Sequence, residues 1–231
     1  APIMYYPAPV VIGADMNDGE PQLGLEGKID DLFILSRAAS VGEVQAFRER
    51  HPKVRLAVQD GSSEELRERL AKGDLDVAIY GQPEEIDDRF HARRLYDERF
   101  VIGVRSGHAF EKQNAVRVKE LDGMAYLNRS DCEFFGHAGR LWREQGTRVS
   151  MVFRSNRDDW VQSMALAGLG FTFIPEYAVT MPGLCIRPLI DPEISRVIQV
   201  VTVRGRPHVP AVGAFVREVL AFPWVTAAPT A

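Results

Sequence analysis

The stretch AGLGFTFIPEYA, residues 167–178, decides the fold. Two glycines, Gly168 and Gly170, stand two apart between an apolar helical run and an aromatic strand, which Pro175 closes. The helix before them begins at RSNRDDW (154–160), where Ser155 or Asn156 can cap it and Asp158 and Asp159 suit the positive end of its dipole. Gly168 is expected to end that helix at positive φ, which costs glycine nothing sterically. Gly170 is expected to open strand FTFI and to let its backbone pass close to a neighbour. A helix that hands over to a strand within three residues is the mark of an α/β fold.

The same alternation extends outward. In VRLAVQ (54–59), Val54, Leu56 and Val58 share one face at period two, which predicts a strand. SSEELRERLAKG (62–73) follows, with Ser62 and Glu65 as a capping box, Leu66 and Leu70 on one helix face, and Gly73 as the stop. LDVAIY (75–80) is the next strand, so this is a β-α-β unit, and short helices between strands imply a parallel sheet. Further strands are predicted at 99–104, 124–128, 149–154, 170–174 and 196–203, and helices at 132–145, 156–167 and 211–222. In the last helix, Pro210 opens the first turn, and Val212, Phe215, Val216, Val219 and Leu220 recur at helical spacing. Before residue 45 the text differs: PAPVVIGA, NDGEPQLGLEG and KIDDLFILS read as short strands joined by turns.

The 231 residues are 45% hydrophobic and 26% charged, the proportions of a globular protein with a real core. A net charge of −4 argues against a dedicated nucleic-acid binder. No run reaches the roughly 18 apolar residues of a membrane helix, and the opening APIMYYPAPVVIGA lacks a basic leader region. Two cysteines without a CxxC motif make a disulfide framework improbable and favour a reducing, cytoplasmic setting. The five histidines show no HxxxH or HExxH spacing, so no metal is expected. GxSxG, the P-loop and a full dinucleotide fingerprint are all missing, which leaves no cofactor and no nucleophile–base pair to suggest an enzyme.

In order and spacing, FRERHPKVRL, LAKGDLDVAIYGQP, LYDERFVIGVRSGHAF, AGLGFTFIPEYA and VPAVGAFVREVL, from about Phe47 to Trp224, resemble the effector-binding domain of LysR-type transcriptional regulators. The resemblance implies two Rossmann-like subdomains of the type 2 periplasmic-binding-protein architecture, joined by two crossovers, with a small molecule in the cleft between them. Subdomain I is expected to take 45–95 and 205–231, and subdomain II 96–204, behind an irregular β-rich segment at 1–44. Carried over by position, the ligand contacts fall on Asn128, Arg129 and Ser130, on Ser155 and Asn156, on Gly168 and Gly170, and on Tyr80, Gly81 and Gln82. Arg129 is the expected partner of an effector carboxylate, which a guanidinium binds in bidentate fashion. Its competing assignments are a solvated arginine and an internal salt bridge. The glycines are expected to shape a wall of the cleft. The effector is expected to be a small polar or carboxylated metabolite, and a homodimer is the candidate assembly.

Two departures from the family stand out. Its DNA-reading helix-turn-helix has no match here, so no direct nucleic-acid binding by this chain is expected. The family's first strand and hydroxyl-bearing loop also have no match before Phe47. In their place GLEGKIDDLFILSRAASVGEV, within 10–44, resembles the end of a laminin-G or concanavalin-like lectin domain. The favoured reading drafts IDDLFILS in as the missing strand, with Ser36 and Ser40 replacing the lost hydroxyls, and the alternative is an added hairpin. Cys132 stands where the peroxide-sensing branch of the family carries its reactive cysteine. A helix N-terminus and Arg129 would lower its pKa, but no second cysteine lies near enough to resolve a sulfenic acid. Beside the sensor reading stand a solute-binding protein of the same fold and a carbohydrate-binding module built on the N-terminal segment.

Overall fold

The computed structural model of the chain describes residues 10–12, 49–52, 54, 58–130 and 132–224. Among these lie ten strands and four α-helices: β1 (Val10–Ile12), β2 (Val58–Asp60), α1 (Ser63–Lys72), β3 (Val77–Tyr80), β4 (Phe90–Val104), β5 (Val116–Arg117), β6 (Ala125–Arg129), α2 (Phe135–Glu144), β7 (Ser150–Ser155), α3 (Asp158–Leu166), β8 (Phe171–Pro175), β9 (Cys185–Ile190), β10 (Ser195–Val203) and α4 (Pro210–Ala221). The chain divides into two compact units. A central unit holds Asp97–Arg196, and a flanking unit holds the described residues of 8–96 and 197–231. Strands β4 and β10 each begin in one unit and end in the other, so two continuous segments connect them. The second boundary between the units falls at 196/197, within β10.

In the flanking unit, β1 pairs antiparallel with both β2 and β3, and β3 pairs antiparallel with β10. Strands β2 and β3 therefore run parallel to each other with β1 between them, and α1 crosses over an inserted strand. The residues that take this place come from PAPVVIGA. The segment IDDLFILS, expected there, lies outside the described residues, as do Ser36 and Ser40.

Helix α1 forms as its sequence dictates. Ser62 Oγ accepts from the Glu65 N–H at 3.3 Å, and the Ser62 N–H donates back to Glu65 Oε2 at 2.7 Å, so both orphan donors are satisfied. Gly73 ends the helix at φ +91°. Arg206 then supplies what the sequence did not announce: its guanidinium donates to the carbonyls of Leu70 (2.9 Å) and Ala71 (3.1 Å), a cation on the negative end of the dipole. Leu66 and Leu70 pack with Leu75, Ala78, Tyr80, Phe90 and Val201 into this unit's core. Along α4, Val212, Phe215 and Val219 are buried at helical spacing.

The central unit is built on strands in the order β4-β8-β6-β7, with β6 parallel to β7 and to β8, and β4 antiparallel to β8. Strand β9 pairs antiparallel with β4 and parallel with β5. Both faces of the sheet are covered, so β8 (FTFIP) is buried throughout, Thr172 included. On one face Tyr126, Phe171, Phe173, Phe100 and Ile102 pack against Ala138 and Trp142 of α2. On the other, Leu127 meets Val161 and Ala165 of α3. Tyr126 and Leu127 thus split the two cores by strand alternation. Gln162 on α3 is fully buried, donating to the Ala178 carbonyl at 2.9 Å and accepting from the N–H groups of Thr180 and Met181.

The two glycines of the deciding stretch do what their spacing announces. Gly168 has φ +86°, and the Leu169 N–H reaches back to the Met164 carbonyl at 3.1 Å, closing α3. A Cβ on Gly170 would stand 2.3 Å from the Ala125 carbonyl oxygen, so only glycine lets β8 enter beside β6.

Candidate functional site

In a parallel sheet the strand ends and the helix N-termini that follow them converge on one edge. Here that edge carries the C-terminal ends of β6 and β7 and the start of α3. The β6–β7 register sets Asn128 beside Arg154 and Arg129 beside Ser155. The Ser130 N–H extends the ladder to the Ser155 carbonyl at 2.8 Å. The hydroxyls serve the loops: Ser130 Oγ accepts from Arg154 Nε (3.2 Å), and Ser155 Oγ accepts from the Arg157 N–H (3.1 Å). Arg157 is the N-cap residue of α3, so Ser155 braces the cap from two residues before it. Asn156 is exposed. Asp159 is held by Arg157 at 2.8 Å and also accepts from backbone N–H groups of the first turn, which keeps its pKa low.

Two residues at this edge, one buried and one half-buried, carry a buried donor that is under-bonded. Asn128 is fully buried; its Oδ1 accepts from the Tyr126 hydroxyl at 3.2 Å, and its Nδ2 has no acceptor among the described residues. Arg129 is paired inside the chain. Its Nε lies 3.1 Å from Asp158 Oδ2, with side chains 14% and 6% exposed. The approach is off-line, so the contact is an ion pair, and Nε makes no hydrogen bond. Asp158 was read as a helix-dipole residue, and it sits in the first turn of α3 as that reading requires. Burial nevertheless dominates its electrostatics: desolvation pushes its pKa up to about 6, although Arg129 and then Arg196 pull it down. Arg196 is itself locked to Glu98 by two contacts, at 2.9 and 2.8 Å, and Glu98 also accepts from the Tyr177 N–H.

Cys132 does not become the activated thiol that its sequence position suggests. Burial is the largest influence and Glu133 adds to it, so together they push the thiol up against the weaker pull of Arg129. A helix N-terminus and one arginine do not offset that desolvation. Both cysteines are free thiols. Among the described residues no group of histidine, cysteine and acidic side chains is arranged to hold a metal ion.

The remaining expected positions lie elsewhere. Gly170 stands next to Ala125, at the start of β6, whereas Asn128 and Arg129 are at its end. The glycines are therefore at the opposite edge of the sheet and form no wall of this site. Tyr80, Gly81 and Gln82 follow one another at the end of β3, in the flanking unit. Tyr80 is buried with its hydroxyl unpartnered among the described residues, and desolvation raises its pKa to about 12. Gln82 uses its amide N–H groups on the Glu84 and Glu85 carbonyls, both at 3.1 Å, and so staples its own loop. Sequence reasoning missed Asp158 as partner of Arg129, and it missed the Glu98–Arg196 lock. Strand alternation in LYDERF and SRVIQ was the available signal for burying those two charges.

Two α/β units joined by two continuous segments, with a polar edge at strand ends, define the periplasmic-binding-protein-like class of ligand-binding domain. The chain belongs to the LysR substrate binding domain family, whose model matches residues 42–223. It is 26% identical over 191 residues to the transcriptional dual regulator GltC of Bacillus subtilis, covering 78% of this chain and 61% of that protein. The chain spans little more than half the length of the first relatives it matches. Its fold is that of the C-terminal domain of a probable LysR family regulator from Rhodococcus (TM-score 0.69, 21% identity, 78% of this chain and 91% of that one). It is likewise that of the Synechocystis CcmR regulatory domain in complex with 2-PG (TM-score 0.67, 17% identity, 77% and 88%). No helix among the described residues is long and apolar enough to cross a membrane.

Proposed function

We propose that this chain is the effector-sensing part of a LysR-type transcriptional regulator. In this reading it receives a small polar metabolite bearing a carboxylate at the strand-end edge of the central unit. The observation that carries the reading is the pair of under-bonded buried donors there, Asn128 Nδ2 and Arg129 Nε, on consecutive residues at the end of β6. Buried donors of this kind are normally satisfied; strand alternation turns Asn128 to the α2 side beside Tyr126 and Arg129 to the α3 side beside Asp158, so an acid group is met by Arg129. Arg129 takes the acid group, and Ser130, Ser155 and Asn156 line the approach. The complex of the Synechocystis neighbour with 2-PG supports a small molecule as the occupant. The binding energy works as a signal only through a difference in affinity between two arrangements of the domain.

The test is a thermal melt of the chain with millimolar metabolite acids, against neutral sugars and amines at the same concentration. An acid at about 100 times its Kd adds about 2.7 kcal/mol, a rise of several degrees. Arg129→Gln is expected to abolish that rise. A panel in which only neutral sugars or amines raise the midpoint would overturn the carboxylate assignment.

A further inference from the structure

The guanidinium offered to the effector is already occupied. Arg129 projects from the end of β6 against Asp158, which the first turn of α3 holds in place. The surroundings favour neither partner. Asp158 is faced by Arg129 from β6 and by Arg196 from β10, and by the like charges of Glu133, from the turn before α2, and Asp159, from its own helix. Cys132, beside Glu133, stays a neutral thiol. Arg196 is committed to Glu98 of β4 and lies over the Phe100 ring at 5.6 Å, so little of its charge is left for Asp158. Asp159 is committed to Arg157. Arg129, through an off-line contact at 3.1 Å, is therefore the larger of the two cationic pulls on Asp158, while Glu133 Oε1 has no hydrogen-bond donor among the described residues.

We propose that Asp158 is a built-in competitor for the effector: its carboxylate holds the effector's place on Arg129, the effector's acid group binds by displacing it, and the displaced Asp158 takes up a proton from solvent. The inference rests on the carboxylate reading of the site and adds its regulation. No covalent bond changes. One ion pair is exchanged for another, and the proton lands on a buried carboxyl that has lost the stronger of the two cations facing it. Asp158 already titrates near pH 6 with Arg129 beside it, and removing that cation raises its pKa further. Binding therefore takes up protons above about pH 6, and Kd rises with pH by up to tenfold per unit until the pKa of the displaced acid is passed. Below pH 6, Asp158 is protonated with or without ligand, and the dependence flattens. The domain thus reads acid concentration and proton concentration together.

Calorimetric titration of the whole chain with malonate, at about pH 6, 7 and 8 and in two buffers of different ionisation enthalpy, tests this. The wild type is expected to take up a fraction of a proton per malonate and to bind more weakly at each step up in pH. Asp158→Asn carries the neutral form permanently. It is expected to bind malonate at least tenfold more tightly at about pH 8 and with no pH dependence, while Arg129→Gln binds none. Malonate binding by the wild type without proton uptake would overturn the competitor role. So would an Asp158→Asn variant no tighter than wild type, or an Arg129→Gln variant that still binds. No malonate binding by the wild type at any pH would overturn the carboxylate reading underneath it. Should Asp158→Asn fail to fold, the wild-type proton uptake decides alone.

Discussion

Replacing Gly170 with alanine is the sharpest test of how the central sheet is assembled. An added Cβ would lie 2.3 Å from the Ala125 carbonyl oxygen, 2.9 Å from its carbon and 3.1 Å from its Cβ. Ordinary contact begins about 1 Å further out, and the obstacle is backbone, which no rotamer change relieves. Strand β8 must therefore move away from β6 by about that distance. The β6–β8 pairing is short, with Tyr126 opposite Phe171 and Leu127 opposite Thr172, so a shift at its start endangers the whole ladder. Overpacking costs about 1–3 kcal/mol, and each ladder hydrogen bond lost adds about 1 kcal/mol. A total near 3–4 kcal/mol lowers the midpoint by about 6–16 °C in a chain of this size. The assay is a circular dichroism melt, with the near-ultraviolet band reporting the Tyr126–Trp142 edge contact (5.7 Å) beside the strained ladder. Gly139→Ala on α2 is the control: its new Cβ meets only the tip of Arg143, at 3.7 Å. It should stabilise by about 0.5–1 kcal/mol, as removing a glycine from a helix does. A Gly170→Ala melt within about 2 °C of wild type would refute the close approach.

Two further predictions follow from burial. Asp76 is pushed up to about 6 by desolvation, against the weaker pull of Arg206. A carboxyl raised from 3.8 contributes stability that is complete below pH 4 and is lost as pH rises through 6. Asp76→Asn should therefore match wild type near pH 4. Near pH 8 it should melt higher by about 1–2 kcal/mol, the two-unit shift discounted for the side chain's remaining exposure; an unchanged pH profile would refute it. The Cys132 thiol, raised by burial, should react with iodoacetamide at pH 7 at least about tenfold more slowly than a free cysteine. Mass spectrometry of the labelled peptide reads that rate, and a rate above that of the free thiol would restore the redox reading.

Local chemistry was legible and distant pairing was not. The capping box of Ser62 and Glu65, the left-handed Gly73, the apolar face of α4 and both roles of the Gly168/Gly170 pair are set within a few residues, where sequence spacing and geometry coincide. Strand β9 escaped notice because Pro188 lacks an N–H and argues against a strand, yet it pairs with Val101. The first half of β4, FHARRLYDE, escaped because its charges hide the alternation. Glu98 and Arg196 stand 98 positions apart, and no local rule brings them into contact. Trp160 is 52% exposed and lies under Arg157.

A single extra residue links the register of the sheet to the chemistry of its edge. Between Tyr126 and Leu127 the partner strand advances by two, from Met151 to Phe153, so Val152 bulges out and half of it is exposed. Without that bulge Arg129 would lie opposite Arg154, and two guanidiniums side by side in a sheet repel. With it, Arg129 lies opposite Ser155, Arg154 turns to Ser130, and Phe153 joins Leu127 beneath α3. The extra residue also brings the start of α3 to the end of β6, which is what lets Asp158 reach Arg129. The glycines that make the sheet close-packed sit at its other edge, four residues and about 13 Å along β6 at strand spacing. Substitutions at that edge should change stability and leave the ion pair alone, and deleting Val152 should close the bulge while keeping Arg129 opposite Ser155.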